Sequence, residues 1–154
     1  MLFNIKPGSL DYYIKYSQQF DIEEWQQKKH VVMNQLKQKN IDVCDIYIYE
    51  KKYKQLLNRL IKNNDIISIN RYQDIFKKHC PHLIVEYYRS IIYKGLKKTN
   101  TRQYYQSMSE YLSFIYSINK KEAVKIYNEL ENLYPSRYAM IDELYKVFKG
   151  ENKK

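Results

Sequence analysis

The stretch from Pro81 to Leu96, PHLIVEYYRSIIYKGL, constrains the chain more than any other. Proline fits the first turn of a helix, where its missing N–H has no partner to lose. From there Leu83, Ile84, Val85, Tyr87, Tyr88, Ile91, Ile92, Tyr93 and Leu96 cover most of a helical circumference. Only Glu86, Arg89, Ser90, Lys94 and Lys97 leave a polar stripe. A helix that is apolar nearly all round is a buried one, and this one is too short and too polar at its edges to span a bilayer. Other helices must surround it.

The flanks supply them. Residues 1–8 read as a flexible lead-in ending at the turn dipeptide Pro7-Gly8. Ser9 can cap a short helix carrying Leu10, Tyr13, Ile14 and Phe20. Asp21 and Glu24 form a D-x-x-E capping box before a helix over about 22–39, with Trp25, Val32, Met33 and Leu36 on one side, ended by Asn40. The next apolar positions fit two helices, about 42–49 and 52–62, broken at Glu50-Lys51-Lys52, although IYIYE alone also fits a strand. Asp65 can cap one helix through His79 with Ile66, Ile69, Tyr72, Ile75 and Phe76 inward.

After the central helix, whose end Gly95 weakens, Thr101 opens a helix with Tyr104, Met108, Tyr111, Leu112, Ile115 and Ile118 at helical spacing. Asn119 caps another, with Glu122 at the capping-box position and Ala123, Tyr127, Leu130 and Leu133 inward. Tyr134-Pro135-Ser136 ends that helix and caps the last, whose core residues are Met140, Leu144, Val147 and Phe148 before Gly150. Residues 151–154 read as a disordered tail.

The expected fold is all-α, an antiparallel helical-hairpin array of about eight to nine helices. Short turns make successive helices antiparallel neighbours, and hairpins of roughly 30–40 residues fall in the size range of tetratricopeptide-like and other α-solenoid repeats. At 154 residues the expectation is a single domain over 9–150, large enough to bury about 70% of its unfolded surface without staples. With three glycines and no G-x-x-x-x-G-K or G-x-G-x-x-G, phosphate-cradling loops are not expected.

Cys44 and Cys80 are the only cysteines. Two widely spaced thiols point to a reduced compartment rather than a disulfide framework. No apolar signal segment follows Lys6, and a cytoplasmic address without membrane contact is expected. The formal net charge is +10, which can mean an acidic partner. The 22 Lys beside five Arg and 18 Tyr also match the codon bias of an AT-rich genome, with lysines filling solvated helix faces.

His79, Cys80 and His82 are the one cluster of metal-ligand types. A structural zinc site wants four ligands in separated pairs, so the cluster reads first as a turn, and no cofactor is expected. Glu-x-x-His and H-E-x-x-H are absent, and no motif marks a catalytic serine, so the expectation is a protein without an active site. Tyr72, Tyr88, Tyr104, Tyr111 and Tyr127 interleave with lysines, as base-stacking tyrosines do. They also fall on apolar stripes, where tyrosine packs with its hydroxyl at the rim. If the helices alternate up and down, the turns holding Lys51-Lys52, Lys77-Lys78 and Lys120-Lys121 share one edge and Lys97-Lys98 lies on the other. Such a rim can contact phosphate or an acidic protein. Lysines also collect at helix ends because water and the helix dipole favour them there.

The segments EEWQQKKHVVMNQL, DIYIYEKKYKQLL, HCPHLIVEYYRSII and YYQSMSEYLSFIYSINKKEAVKIYNELENLYPSRYAMIDEL, in that order, resemble the C-terminal helical region of bacterial SWIM zinc-finger-domain proteins over about residues 20–148. The resemblance implies a helix pair, a proline-opened helix and a closing pair, ending here at Arg137, Ala139, Ile141, Glu143 and Leu144. The family's Cys-x-Cys, spacer, Cys-x-His zinc motif has no counterpart in this sequence, which fits either a C-terminal piece or a stand-alone helical relative. The expected function is a non-enzymatic helical module for protein–protein interaction. The alternative is nucleic-acid binding through the lysine-rich edge, and a homo-oligomer fits either.

Overall fold

The computed structural model describes residues 10–38 and 43–149. The lead-in with its Ser9 cap, the Asn40 stop, and Gly150 with the tail over 151–154 lie outside the described residues. The described residues form ten helices: α1 Leu10–Ser17, α2 Ile22–Gln38, α3 Cys44–Tyr49, α4 Tyr53–Lys62, α5 Ile66–Arg71, α6 Gln73–His79, α7 Pro81–Lys98, α8 Arg102–Ile118, α9 Lys120–Leu133 and α10 Tyr138–Lys149. No strand appears among them; in IYIYE, residues 46–49 are helical and Glu50 is the cap that follows. None of these helices is long and apolar enough to cross a membrane. One domain over 9–150 is the expectation from sequence; by backbone contacts the chain divides into two compact units, Met1–Ile69 and Asn70–Lys154, each described here by itself.

In the first unit α3 packs on α1 and α4. Tyr13 of α1 is fully buried. Its ring meets Trp25 at 5.2 Å edge-on, and its hydroxyl donates to Glu50 Oε1 at 2.7 Å. Burial, then that bond to a carboxylate, pushes the phenol pKa well up. Both bonds of the capping box form: Glu24 N–H donates to Asp21 Oδ1 (2.8 Å) and Asp21 N–H to Glu24 Oε2 (3.4 Å).

The break at Glu50–Lys52 is a Schellman motif. Lys51 N–H donates to Ile48 O and Lys52 N–H to Tyr47 O, which requires a left-handed residue between them, and Lys51 has φ 58°. Asn64, φ 55°, does the same after α4, with bonds to Ile61 O and, from Asp65, to Leu60 O. In a chain so poor in glycine, a lysine and an asparagine fill the positions that glycine usually takes.

The single helix expected from Asp65 to His79 is two. Asp65 does cap it, accepting from Ser68 N–H at 3.1 Å and from Ser68 Oγ at 2.8 Å. The ladder then breaks at Tyr72 (φ −105°, ψ 17°), which becomes the cap of α6. Ile69 and Phe76 stay fully buried on either side, so the apolar spacing gives no sign of the break.

In the second unit α6 packs on α7, and α8 carries α7, α9 and α10. The most widely packed helix is thus α8, one helix later than the sequence suggests, while α7 leaves Leu83, Tyr87, Ile91 and Tyr93 half-buried. Gly95 has a packing role beyond weakening α7: a Cβ there would meet the Tyr104 hydroxyl oxygen at 2.3 Å and its ring at 2.7 Å. With Tyr104 lying across Gly95, its neighbour Tyr105 is the buried member of the pair. On α9 Ala123 and Leu130 are buried as expected and Ile126 with them, Tyr127 is half-buried, and Leu133 at the helix end is 59% exposed. Val147 and Phe148 of α10 are half-buried.

Alternation is visible in the pairs two helices apart. Arg89 and Tyr93 of α7 reach Glu122 and Glu129 of α9 in the same order, so these helices run parallel. Arg102 reaches Asp142 and Glu143 at 3.4 and 2.8 Å and Tyr116 stacks edge-on with Phe148 at 5.4 Å, so α8 and α10 run parallel. Asn70, near the end of α5, meets Tyr111 and Lys77 of α6 meets Ser117, so the chain from Asn70 through α6 runs in the direction of α8.

Relieving the left-handed lysine stabilises: Lys51→Gly should raise the unfolding free energy by about 0.5–1 kcal/mol in urea titrations. Gly95→Ala should be destabilising in the wild-type background. In a Tyr104→Ala background the same change should stabilise by up to about 1 kcal/mol, the helix-propensity gain alone.

Candidate functional site

An open groove of about 580 Å³ runs between α6 and α8. Asn70, Gln73, Asp74 and Lys77 line one wall; Ser107, Glu110, Tyr111, Ser113, Phe114 and Ser117 line the other. Each set recurs at three- and four-residue steps; the second is one stripe along α8, and the first runs from Asn70 near the end of α5 across the break at Tyr72 onto α6. Because the two helices run parallel, the stripes face each other in register.

Behind the groove sits Tyr88 of α7, with no exposed surface. Its ring packs on Tyr111 at 4.8 Å and on Phe114 at 5.3 Å. Its hydroxyl lies 2.8 Å from Asn70 Oδ1 and 3.0 Å from Gln73 Oε1, donating its single proton to one at a time. Burial pushes the phenol pKa well up, so it is a donor throughout the physiological range. Asn70 Nδ2 donates onward to the Tyr111 hydroxyl at 3.3 Å, and Lys77 Nζ donates to Ser117 Oγ at 3.1 Å. The groove presents amides, hydroxyls, two carboxylates and one ammonium over an aromatic base.

The lysine doublets sort as follows. Lys77 reaches the last turn of α8 through Ser117 and lies 6.0 Å from the Phe114 ring centre. Lys120, at the start of α9, lies over Tyr116 at 5.5 Å. Lys77-Lys78 and Lys120-Lys121 therefore share the edge where α8 ends. Lys51 and Lys52 belong to the first unit, where Lys51 is exposed in the α3–α4 turn and Lys52 half-buried. At the other edge of the second unit, near Lys97-Lys98, Arg137 donates to Leu96 O at 2.6 Å and lies 4.1 Å from the Tyr134 ring. That bond satisfies a carbonyl in the last turns of α7.

His79 ends α6, Cys80 is the buried residue between helices, and His82 is exposed in the first turn of α7. Among the described residues no three His, Cys, Asp or Glu are gathered as a metal ion needs. Cys44 is also buried, in the first unit.

Two carboxylates hold the array together. Tyr93 donates to Glu129, and that bond, together with Arg89 3.3 Å away, holds Glu129 below the usual carboxylate pKa range. Glu143 is buried. It accepts from Lys146 (3.0 Å) and Arg102 (2.8 Å); the Lys146 bond, then the Arg102 bond, lowers its pKa against the opposing effect of burial.

Sequence reading singled out the lysines but passed over the groove. Its signal was present as Ser107, Glu110, Ser113 and Ser117, a polar stripe at helical spacing opposite the apolar one. The facing stripe on α6 falls across the break at Tyr72, which the apolar pattern does not reveal. No family model, curated protein or solved structure matches the chain.

Because folding lowers the Glu143 pKa, its stabilisation is fully present above the unfolded-state value and is lost as pH falls through the folded value. The urea midpoint of the wild type should therefore fall on acidification. Glu143→Gln should be less stable at pH 7, with a flatter pH profile, and the two curves should converge in acid.

Proposed function

We propose that the second unit is a protein-interaction module, a tetratricopeptide-like array that receives an extended segment of a partner in the α6–α8 groove. The supporting observation is the groove itself: two same-direction helices, alternate members of the array, hold facing polar stripes over Tyr111 and Phe114. The stripe from Ser107 to Ser117 is about 15 Å long at helical rise, enough for about four to five residues of extended chain. Backbone amides of such a segment find acceptors in Asp74 and Glu110 and donors in Lys77 and the serines. The rings give it apolar surface, a mix usual for recognition sites. The resemblance to the helical region of SWIM-domain proteins is consistent with an accessory role of this kind, without the zinc motif.

Selection of a random peptide library on the full chain, followed by calorimetry, tests the reading. Selected peptides should lose at least about tenfold in affinity, about 1.4 kcal/mol, against Ser113→Arg, which fills the groove from an exposed position. They should keep most of their affinity at raised salt, since few full charges line the groove. Peptides that bind Ser113→Arg as well as wild type, or a selection that enriches none, would overturn it.

A further inference from the structure

The groove between α6 and α8 is charged against the rest of the chain. The sequence has 27 Lys and Arg against 17 Asp and Glu, yet the groove is lined by two carboxylates, Asp74 and Glu110, and one ammonium, Lys77. The carboxylates that tie the helices of this unit together are each held by a cation: Glu122 and Glu129 by Arg89, Asp142 and Glu143 by Arg102. Asp74 and Glu110 are exposed, and among the described residues neither is paired with a cation. The fold does not use them, and both face the same space.

The register places these groups along the groove. Asn70 meets Tyr111 and Lys77 meets Ser117, so residues 41 and 40 apart stand level. Glu110 is then beside Asn70 at one end. Asp74 is level with Phe114 on the opposite wall, about 6 Å further along at helical rise. Lys77 follows one turn beyond. The rings of Tyr111 and Phe114 line the stretch between the carboxylates. Lys77 Nζ already lies 6.0 Å from the Phe114 ring centre, so a cation is accommodated beside that ring.

We propose that the segment received in the groove is anchored by one arginine, its guanidinium between Asp74 and Glu110 and against the Tyr111 and Phe114 rings. The proposal rests on the reading of this groove as a peptide site. A guanidinium is planar, stacks on aromatic faces and carries five donors in a fixed fork. One such group serves the rings and a carboxylate on each wall together. Each carboxylate has about four acceptor positions, which leaves room for a backbone amide of the segment as well. Lysine brings the charge without the plane and fits less well. Lys77 repels a second cation at the far end, so the groove selects a single arginine rather than a basic run.

The test uses the full chain and the peptides that a random library yields on it. Arginine should be enriched at one position. The tightest peptide, resynthesised with that arginine replaced by methionine, should bind about tenfold more weakly, and with lysine the loss should be smaller. On the variant Asp74→Asn, Glu110→Gln the parent peptide should lose about as much, and the methionine peptide little more, the coupling expected of groups in contact. Glu23→Gln, Glu131→Gln makes the same charge change at exposed residues outside the groove and should bind as wild type. Thermal melts of both double variants should match the wild type. A methionine loss undiminished on Asp74→Asn, Glu110→Gln, or an equal loss in the control, would overturn the arginine anchor and leave the groove as a peptide site. Selected peptides without arginine that Ser113→Arg still excludes would do the same. Peptides indifferent to Ser113→Arg, or a selection that enriches none, would overturn both readings.

Discussion

A buried hydroxyl has to be paired, and in this protein that requirement falls on Tyr88. Its ring is enclosed among α7 and α8, while its oxygen needs partners that apolar packing cannot supply. Asn70 and Gln73 provide them. They come from either side of the break at Tyr72, so the chain leaves and re-enters helical geometry between two groups that serve the same hydroxyl. Through Asn70 the network passes to Tyr111 and so reaches the groove wall. One polar atom in the core thereby ties three helices together and positions the groove over its own ring.

The second constraint is how an up-and-down array holds helices two apart. Adjacent helices pack by burying apolar surface, which is largely non-directional. Alternate partners pack too, α8 with α10 above all, and they are tied in addition by directional bonds from long side chains: Arg102 to Glu143, Arg89 and Tyr93 to Glu129, Lys77 to Ser117. Exposed pairs of this kind add little stability, but Glu143 is buried, and leaving it unpaired would carry the cost of an uncompensated carboxylate. Alternation then assigns the turns to two edges, one with Arg137 capping α7 and one with Lys77, Lys78, Lys120 and Lys121. It also brings α6 and α8 side by side so that their polar stripes face.

The second unit presents two unlike surfaces as a result. The groove mixes carboxylates, amides, hydroxyls and rings and suits a polar chain segment; the edge where α8 ends carries Lys77, Lys78, Lys120 and Lys121. Interactions at the first depend on shape and hydrogen bonding, and those at the second on ionic strength. Lys77 belongs to both surfaces, at the point where the groove meets the edge.

Much of this was legible in the residues. Apolar spacing and the caps at Asp21, Asp65, Thr101 and Asn119 mark helix starts, because hydrogen bonding at a cap is local, and each forms its bond. The turn at Lys51 was legible as a break but not as a left-handed residue, since lysine carries no signal for that conformation. Sequence alone determined that the chain is helical, that it turns tightly, and that lysines mark the turns. Tertiary structure decided the break at Tyr72, the burial of Tyr105 and Ile126, the role of Gly95 beneath Tyr104, and which lysines and which polar stripes come together. Those outcomes depend on neighbours far along the chain. Periodicity records which face of a helix is apolar; it does not record which helix lies against it.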